Sequence, residues 1–281
     1  MMTLGHDTIV SLGSRLPPSL GVLGRLQGLL EDADVDLDEI VEVVNIDPSL
    51  TFQVIKLANS ALFGLRSRCE SLDEAVARVG FGDIHQIVGL AVAKHSFQGE
   101  LAVYSMAGGR LWENAVAVAT LNAAFAEVAG AEPRNAYTVG LLRNIGKVLL
   151  NNHNPALRYP GEALVPDVQQ WEKEQYGYSS SEVSAVLLDH WRFAPEMCGS
   201  VCSHRRPEDC PEFHAHAARL HLACCVAAEW GCHLTGEGVG WQRDAAMLGH
   251  AGVPEHQLEI AVARAREAFI KYSVIEWSDA S

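Results

Sequence analysis

Apolar residues recur along most of the chain at three- and four-residue steps, the spacing that lines one face of an α-helix. Leu20, Leu23, Leu26, Leu29 and Leu30 form the first stripe, after Leu16-Pro17-Pro18, whose prolines stop any preceding helix. Residues 1–15 carry no clear period and read as a lead-in. Ile40, Val41 and Val44 mark the next helix. Asp47-Pro48 then supplies a cap followed by proline in the first turn, and that helix runs through Leu50, Val54, Leu57, Ala58 and Ala61 to Gly64. Ser71-Leu72-Asp73-Glu74 has capping-box spacing and predicts a helix ending at Gly80. Asp83 is the predicted cap of another, with Ile84, Ile87, Val88, Ala91 and Val92 on its apolar side.

Further helices are predicted over residues 111–129, 140–150, 168–176 and 181–191, from Pro195 onward, and over 213–230 and 254–273. Prolines and glycines predict loops near 155–166, 206–211 and 231–240. No run of β-branched residues alternates at period two, so the predicted fold class is all-α. A soft boundary lies at Gln98-Gly99-Glu100 or at Gly108-Gly109. The most informative stretch is Gly140 to Leu150. Leu141, Leu142, Ile145, Val148 and Leu149 predict one buried helix, interrupted by a single polar step, Arg143-Asn144.

Composition narrows the picture. With 281 residues, 48% hydrophobic and 20% charged, the chain is ordinary globular protein able to bury a core. The formal charge is −14, from 21 Lys and Arg against 35 Asp and Glu. That balance disfavours phosphate backbones and anionic lipid, so the expected partner is protein, with no nucleic acid and no membrane. No apolar run approaches the roughly 20 residues a bilayer span needs. The N-terminus lacks the basic start and apolar block of a secretory signal. Seven cysteines at irregular spacing fit reduced thiols in a cytoplasm.

Several segments in one order resemble a known module: Leu16-Pro17-Pro18, Asp47-Pro48-Ser49-Leu50, the run from Leu57 to Gly64, Ser71 to Val76, Val79-Gly80, Leu111-Trp112 and the Leu141 to Leu150 stretch. The chain is identified as similar to the HDOD (HD-related output domain) family over about residues 16–230. The resemblance implies an N-terminal helical bundle (about 16–100) packed on an HD-like helical half (about 108–230). Residues 231–281 would then be a C-terminal extension packing on the second half. It also implies a bacterial signalling module, a non-catalytic relative of the metal-dependent HD phosphohydrolases, acting beside cyclic-di-GMP or two-component circuits. The expected partner is a response regulator or a diguanylate-cyclase-type protein. The module takes up nearly all the chain, so no fused receiver, cyclase or kinase segment is expected.

HD hydrolases gather His, His-Asp and a distal Asp around a metal, with further His in two-metal forms, because divalent ions need several imidazole or charged ligands together. The resemblance places Asn114 at the first His, Arg143-Asn144 at the His-Asp pair, Ser180 at a further His, His204-Arg205 at a His-His pair, and Cys224 at the distal Asp. Only His204 remains a strong ligand, with Cys224 a thiolate candidate. Guanidinium offers no lone pair and repels a cation. The expectation is therefore no enzyme, no catalytic metal and no cofactor. The alternatives are a divergent HD phosphohydrolase and an anion or nucleotide pocket lined by Arg143 and Arg205. Against the latter stands simple pairing of each Arg with a nearby carboxylate such as Asp189 or Glu182.

Other features invite chemistry less strongly. Cys198, Cys202, His204, Cys210, His214, His216, His221, Cys224, Cys225, Cys232 and His233 suggest zinc, yet no C-x-x-C pair occurs, and core cysteines on Ala-rich helices are the reading. The acidic run at 31–39 fails the calcium-loop register at Leu37 and Val43. Gly80-Phe81-Gly82 joins two helices and is a turn, and no serine nucleophile elbow is present. Asn59, Ser60 and Phe63 interrupt an apolar helix. They either satisfy the following loop or line an interaction groove. Trp241, Tyr272 and Trp277 are expected to hold the last helix down.

Overall fold

Local cap chemistry places most of the helices. Asp36 accepts from the Glu39 amide at 2.9 Å while Glu39 accepts from the Asp36 amide at 3.3 Å, closing a capping box. Asp47 accepts from the amides of Ser49 and Leu50, with Pro48 in the first helical position. The computed structural model describes residues 3–30, 35–60, 63, 67–238, 241, 243 and 245–273. In these, the helices are α1 His6–Gly13, α2 Ser19–Leu29, α3 Leu37–Asn45, α4 Pro48–Ala58, α5 Leu72–Val79, α6 Phe81–Ser96, α7 Gly108–Val128, α8 Pro133–Leu142, α9 Ile145–His153, α10 Val168–Tyr176, α11 Ser180–His190, α12 Pro195–Ser203, α13 His214–Glu229, α14 Ala245–Ala251 and α15 Glu255–Ser273. The fold is all-α. A two-residue pair, β1 Glu100–Leu101 antiparallel to β2 Met106–Ala107, lies in the stretch proposed as a boundary.

Four local expectations need correction. Residues 6–13 are helical rather than an unstructured lead-in. Ile9 is buried, α1 packs on α11, and the Leu4 amide donates to the Tyr176 carbonyl, so tertiary contact orders a segment whose own pattern is too short to register. α6 begins two residues before Asp83, on Gly80 at φ 87°, which leaves Asp83 in the first turn rather than at the cap. α14 lies where no helix was anticipated. The stretch 140–150 is two helices, α8 and α9, broken at Arg143-Asn144. Ala61, Leu62, Gly64, the acids at 31–34 and Trp277 lie outside the described residues.

α7, almost wholly buried, is the axis of the molecule, with α8, α13 and α15 packed along it. α8 crosses it at a point where small residues are obligatory: a Cβ on Gly140 would lie 2.6 Å from the Cα of Ala119. α9 approaches α11 as closely, since a Cβ on Gly146 would lie 2.1 Å from the Ser180 carbonyl oxygen. On the other side of α8, His85 of α6 bonds Gln27 of α2 at 2.8 Å and Thr138 of α8 at 3.0 Å, a buried polar seam between the early helices and the rest. α15 lies along α7, and its Tyr272 hydroxyl donates to Gln86 of α6 at 2.7 Å.

Gly146→Ala is expected to destabilise by about 2–3 kcal/mol, the upper end for overpacking, because the intruded atom is backbone. Gly28→Ala, at an exposed helical site with open space around it, is expected to stabilise by about 0.5–1 kcal/mol. Urea unfolding of both variants checks the pair.

Candidate functional site

The break between α8 and α9 delivers two polar side chains into the core. Arg143 closes α8, and Asn144, at φ −102° and ψ 10°, opens α9. Ser184 of α11 mends the interrupted backbone, donating to the Arg143 carbonyl at 2.7 Å and accepting from the Gly146 amide at 2.9 Å. Arg143 is 2% exposed. Its guanidinium donates to Asn114 Oδ1 at 2.8 Å, Asn144 Oδ1 at 3.2 Å, Glu237 Oε2 at 3.2 Å and His204 Nε2 at 3.4 Å. Asn114 also accepts from Asn144 Nδ2 at 3.0 Å and donates to the Cys232 carbonyl at 2.7 Å, which fixes its amide orientation.

A second ion pair continues the first. Lys147, one turn along α9 and buried, lies 3.3 Å from the other oxygen of Glu237 and 3.2 Å from Glu172 Oε1 of α10. Glu172 further accepts from the Tyr104 hydroxyl at 2.9 Å and from the Ser180 amide at 2.6 Å. The four buried charges cancel, two guanidinium or ammonium groups against two carboxylates. Burial would raise the Glu237 carboxyl, but Arg143, Lys147 and Arg205 overcome it and hold it down to about 2.

His204 Nδ1 donates to the Val201 carbonyl at 2.8 Å, leaving Nε2 as the acceptor that faces Arg143. Burial first, and then the Arg143 charge, push its pKa to about 3, so the ring is neutral. Trp241 roofs the group. It stacks on His204 at 5.7 Å between ring centroids, meets His221 edge-on at 5.3 Å and lies under the Arg205 guanidinium at 4.9 Å. Arg205 stands at the rim, 3.6 Å from Asp167. Cys224 is buried beside the cluster, and burial lifts its thiol to about 12, which keeps it protonated next to Arg143.

Of the positions picked from the sequence, Asn114, Arg143, Asn144 and His204 bond one another, with Arg205 and Cys224 close by. Ser180 takes part through its backbone. The carboxylate that answers Arg143 is Glu237, not Asp189 or Glu182; Glu182 instead caps α11 and pairs with Lys173. Glu237, Glu172, Lys147 and Trp241 were missed. Glu237 and Trp241 sit in a glycine-rich stretch with no period, although a lone acid between Gly236 and Gly238 in a predicted loop was a signal that could have been followed. Trp241 covers the cluster rather than holding down α15, where Trp230 meets Phe269 at 5.5 Å.

The Cys/His-rich zone does not converge either. All seven cysteines are free, and among the described residues no three His, Cys, Asp or Glu side chains gather as metal ligands. Nor does the HD-position donor set fit a divalent ion, because a guanidinium is bonded to three of its members. Asn59 spends both amide atoms on the Cys69 backbone, at 2.8 and 2.7 Å, and Ser60 donates to the Leu57 carbonyl. Phe63 lies under the Lys271 ammonium at 5.2 Å.

The family model of the HDOD domain matches residues 16–207. The chain belongs to the HDOD family. An uncharacterized protein of Treponema pallidum is 24% identical over 216 residues, a match covering 70% of this chain and 39% of that protein. Three solved structures share the fold. One, from Shewanella amazonensis and provisionally named a phosphohydrolase, superposes with a TM-score of 0.70 at 24% identity over 94% of this chain and 96% of that one. An HDOD domain protein of unknown function from Geobacter sulfurreducens gives 0.69 at 21% over 95% and 96%. A longer Marinobacter aquaeolei protein, provisionally named for signal transduction, gives 0.70 at 21% over 95% and 59%. Among the described residues of this HDOD protein no helix is long and apolar enough to cross a membrane.

Arg143→Leu and Glu237→Leu are each expected to cost about 3–5 kcal/mol, because each strands a buried opposite charge. The double variant is expected to fall short of their sum by about 2 kcal/mol or more, read from a urea-unfolding cycle. Between pH 7 and 5, stability depends most on His204 and on His85, which burial holds near 4. Below the ordinary histidine value of 6.5 the unfolded chain takes up protons that these two folded-state rings refuse, so stability falls as pH drops through 6.5. Each ring contributes a loss of about 2 kcal/mol by pH 5. The Glu237 contribution is lost only lower, from about 4.5 toward 2. His204→Gln is expected to remove about half of the loss between pH 7 and 5.

Proposed function

We propose that this HDOD protein is a non-enzymatic regulatory output module that works by binding other regulators. The observation that carries the reading is the Arg143 guanidinium, seated where HD hydrolases place a metal-binding histidine and hydrogen-bonded to Asn114, Asn144 and His204. A divalent ion at that point would face a fixed positive charge and ligands already spent on it. The cluster serves as a rigid internal brace, holding α8, α9, α10 and the segment around Glu237 in one arrangement. Family membership and the name of the Marinobacter relative support a role in signal transduction, and the acidic surface suits a protein partner over nucleic acid. The partner class is a response regulator or a diguanylate-cyclase-type protein, in two-component or cyclic-di-GMP regulation.

Two measurements test this. Protein expressed with added manganese and iron is expected to carry well under one metal per chain and to leave bis(p-nitrophenyl) phosphate unhydrolysed; chelator-sensitive turnover would overturn the reading. Purified receiver-domain and diguanylate-cyclase proteins from the same proteome, assayed by biolayer interferometry, are expected to include a saturable binder, and none in either class would remove the proposed partners.

A further inference from the structure

A second polar feature lies away from the ion-pair cluster and independent of the reading just given. α7, α8, α12 and α13 enclose a cleft of about 100 Å³. Its walls include Ala126, Ala131 and Met197, together with three charged side chains: Arg219 of α13, Glu196 of α12, and Glu132, which pairs with Arg134 at 2.9 Å. Arg219 is 6% exposed and donates to the carbonyl of Ala251, the last residue of α14, at 3.1 Å. That bond uses one guanidinium nitrogen and complements the negative end of a short helix. No carboxylate among the described residues lies within 4.0 Å of Arg219, and burial pulls its pKa down with no acidic group opposing. A buried cation without an acidic partner is costly.

Glu196, in the first turn of α12, lines the same cleft and makes no ion pair with Arg219 or with any other described residue. His216 stands between them electrostatically: Arg219 lowers its pKa and Glu196 raises it, with burial the largest influence. In the same wall, Asn122 donates to the Ala136 carbonyl at 2.8 Å, and its Oδ1 has no partner. One cleft thus presents a buried positive group and a half-buried carboxylate that do not meet each other, with Glu132 already answered by Arg134, beside an apolar wall of Ala126, Ala131 and Met197.

We propose that this cleft is a binding site for a small zwitterion of the free α-amino acid class, its carboxylate on Arg219 and its ammonium toward Glu196. Guanidinium matches carboxylate geometry through paired N–H donors. The volume is below that of the engineered 150 Å³ cavity that holds a benzene, which limits the ligand to a short side chain against Ala126, Ala131 and Met197. A lone anion would leave Glu196 unanswered, and a lone cation would leave Arg219 so.

Isothermal titration of the full chain with each standard L-amino acid, and with acetate and methylammonium as the two half-ligands, tests the site. Saturable binding is expected for L-alanine or another small L-amino acid, with acetate and methylammonium each weaker by about tenfold or more, the loss of one charge-assisted contact. Arg219→Gln and Glu196→Gln are each expected to weaken binding by a similar factor. Ala131→Leu, which fills the cleft without touching either charge, is expected to abolish it. Glu196→Gln and Ala131→Leu lie outside the buried core and keep the test readable if Arg219→Gln unfolds. No saturable heat for any amino acid would mean a cleft that holds only water, and binding that survives Ala131→Leu would place the ligand elsewhere. Either result overturns the proposal and leaves the regulator-binding reading untouched.

Discussion

The structure depends on the neutralisation of Arg143 inside a core that excludes water. An ion brought from water into such surroundings loses several kcal/mol of solvation, so the fold must return an equal and opposite charge together with hydrogen bonds to the remaining polar atoms. Glu237 supplies the charge, and Asn114, Asn144 and neutral His204 supply acceptors. Lys147 then answers the second oxygen of Glu237, and Glu172 answers Lys147. The residues come from α7, α8, α9, α10, the end of α12 and the segment after α13. Satisfying one guanidinium fixes the mutual position of six parts of the chain.

That requirement explains features that otherwise look unrelated. The helix predicted across 140–150 breaks because a continuous helix would point Arg143 and Asn144 in directions about 100° apart around its axis. The turn between α8 and α9 turns both toward Asn114. The freed backbone groups are then taken up by Ser184, which needs α11 close to α9, and Gly146 permits that approach. After α13 the aperiodic chain is tied down by Glu237 beneath Arg143, by the Gly236 amide donating to Glu162 at 2.6 Å, and by Trp241 stacked on His204.

The cluster is also compensated from within. N–H groups turn inward from Arg143 and Lys147, and the complementary anions are the side-chain carboxylates of Glu237 and Glu172. The result is an internally compensated polar core. Arg219 and Glu196, two charged groups without an ion pair among the described residues, lie in a different cleft.

The sequence by itself determined the helical class, most helix starts and the kinds of side chain at 114, 143, 144, 180 and 224, because caps, periodicity and side-chain chemistry are local properties read within a few residues. It also held the resemblance that names the family. Only the tertiary structure decided that Arg143 pairs with Glu237, 94 positions away, and not with Asp189 or Glu182, which lie nearer in the chain. It likewise decided that Lys147 and Glu172 are buried as ions, that Asn59 belongs to the Cys69 loop, and that Arg219 and Glu196 share a cleft without touching. The reason is physical: a charge has no sequence period, and its partner is chosen by which groups the packed helices bring within about 3 Å once water has been expelled.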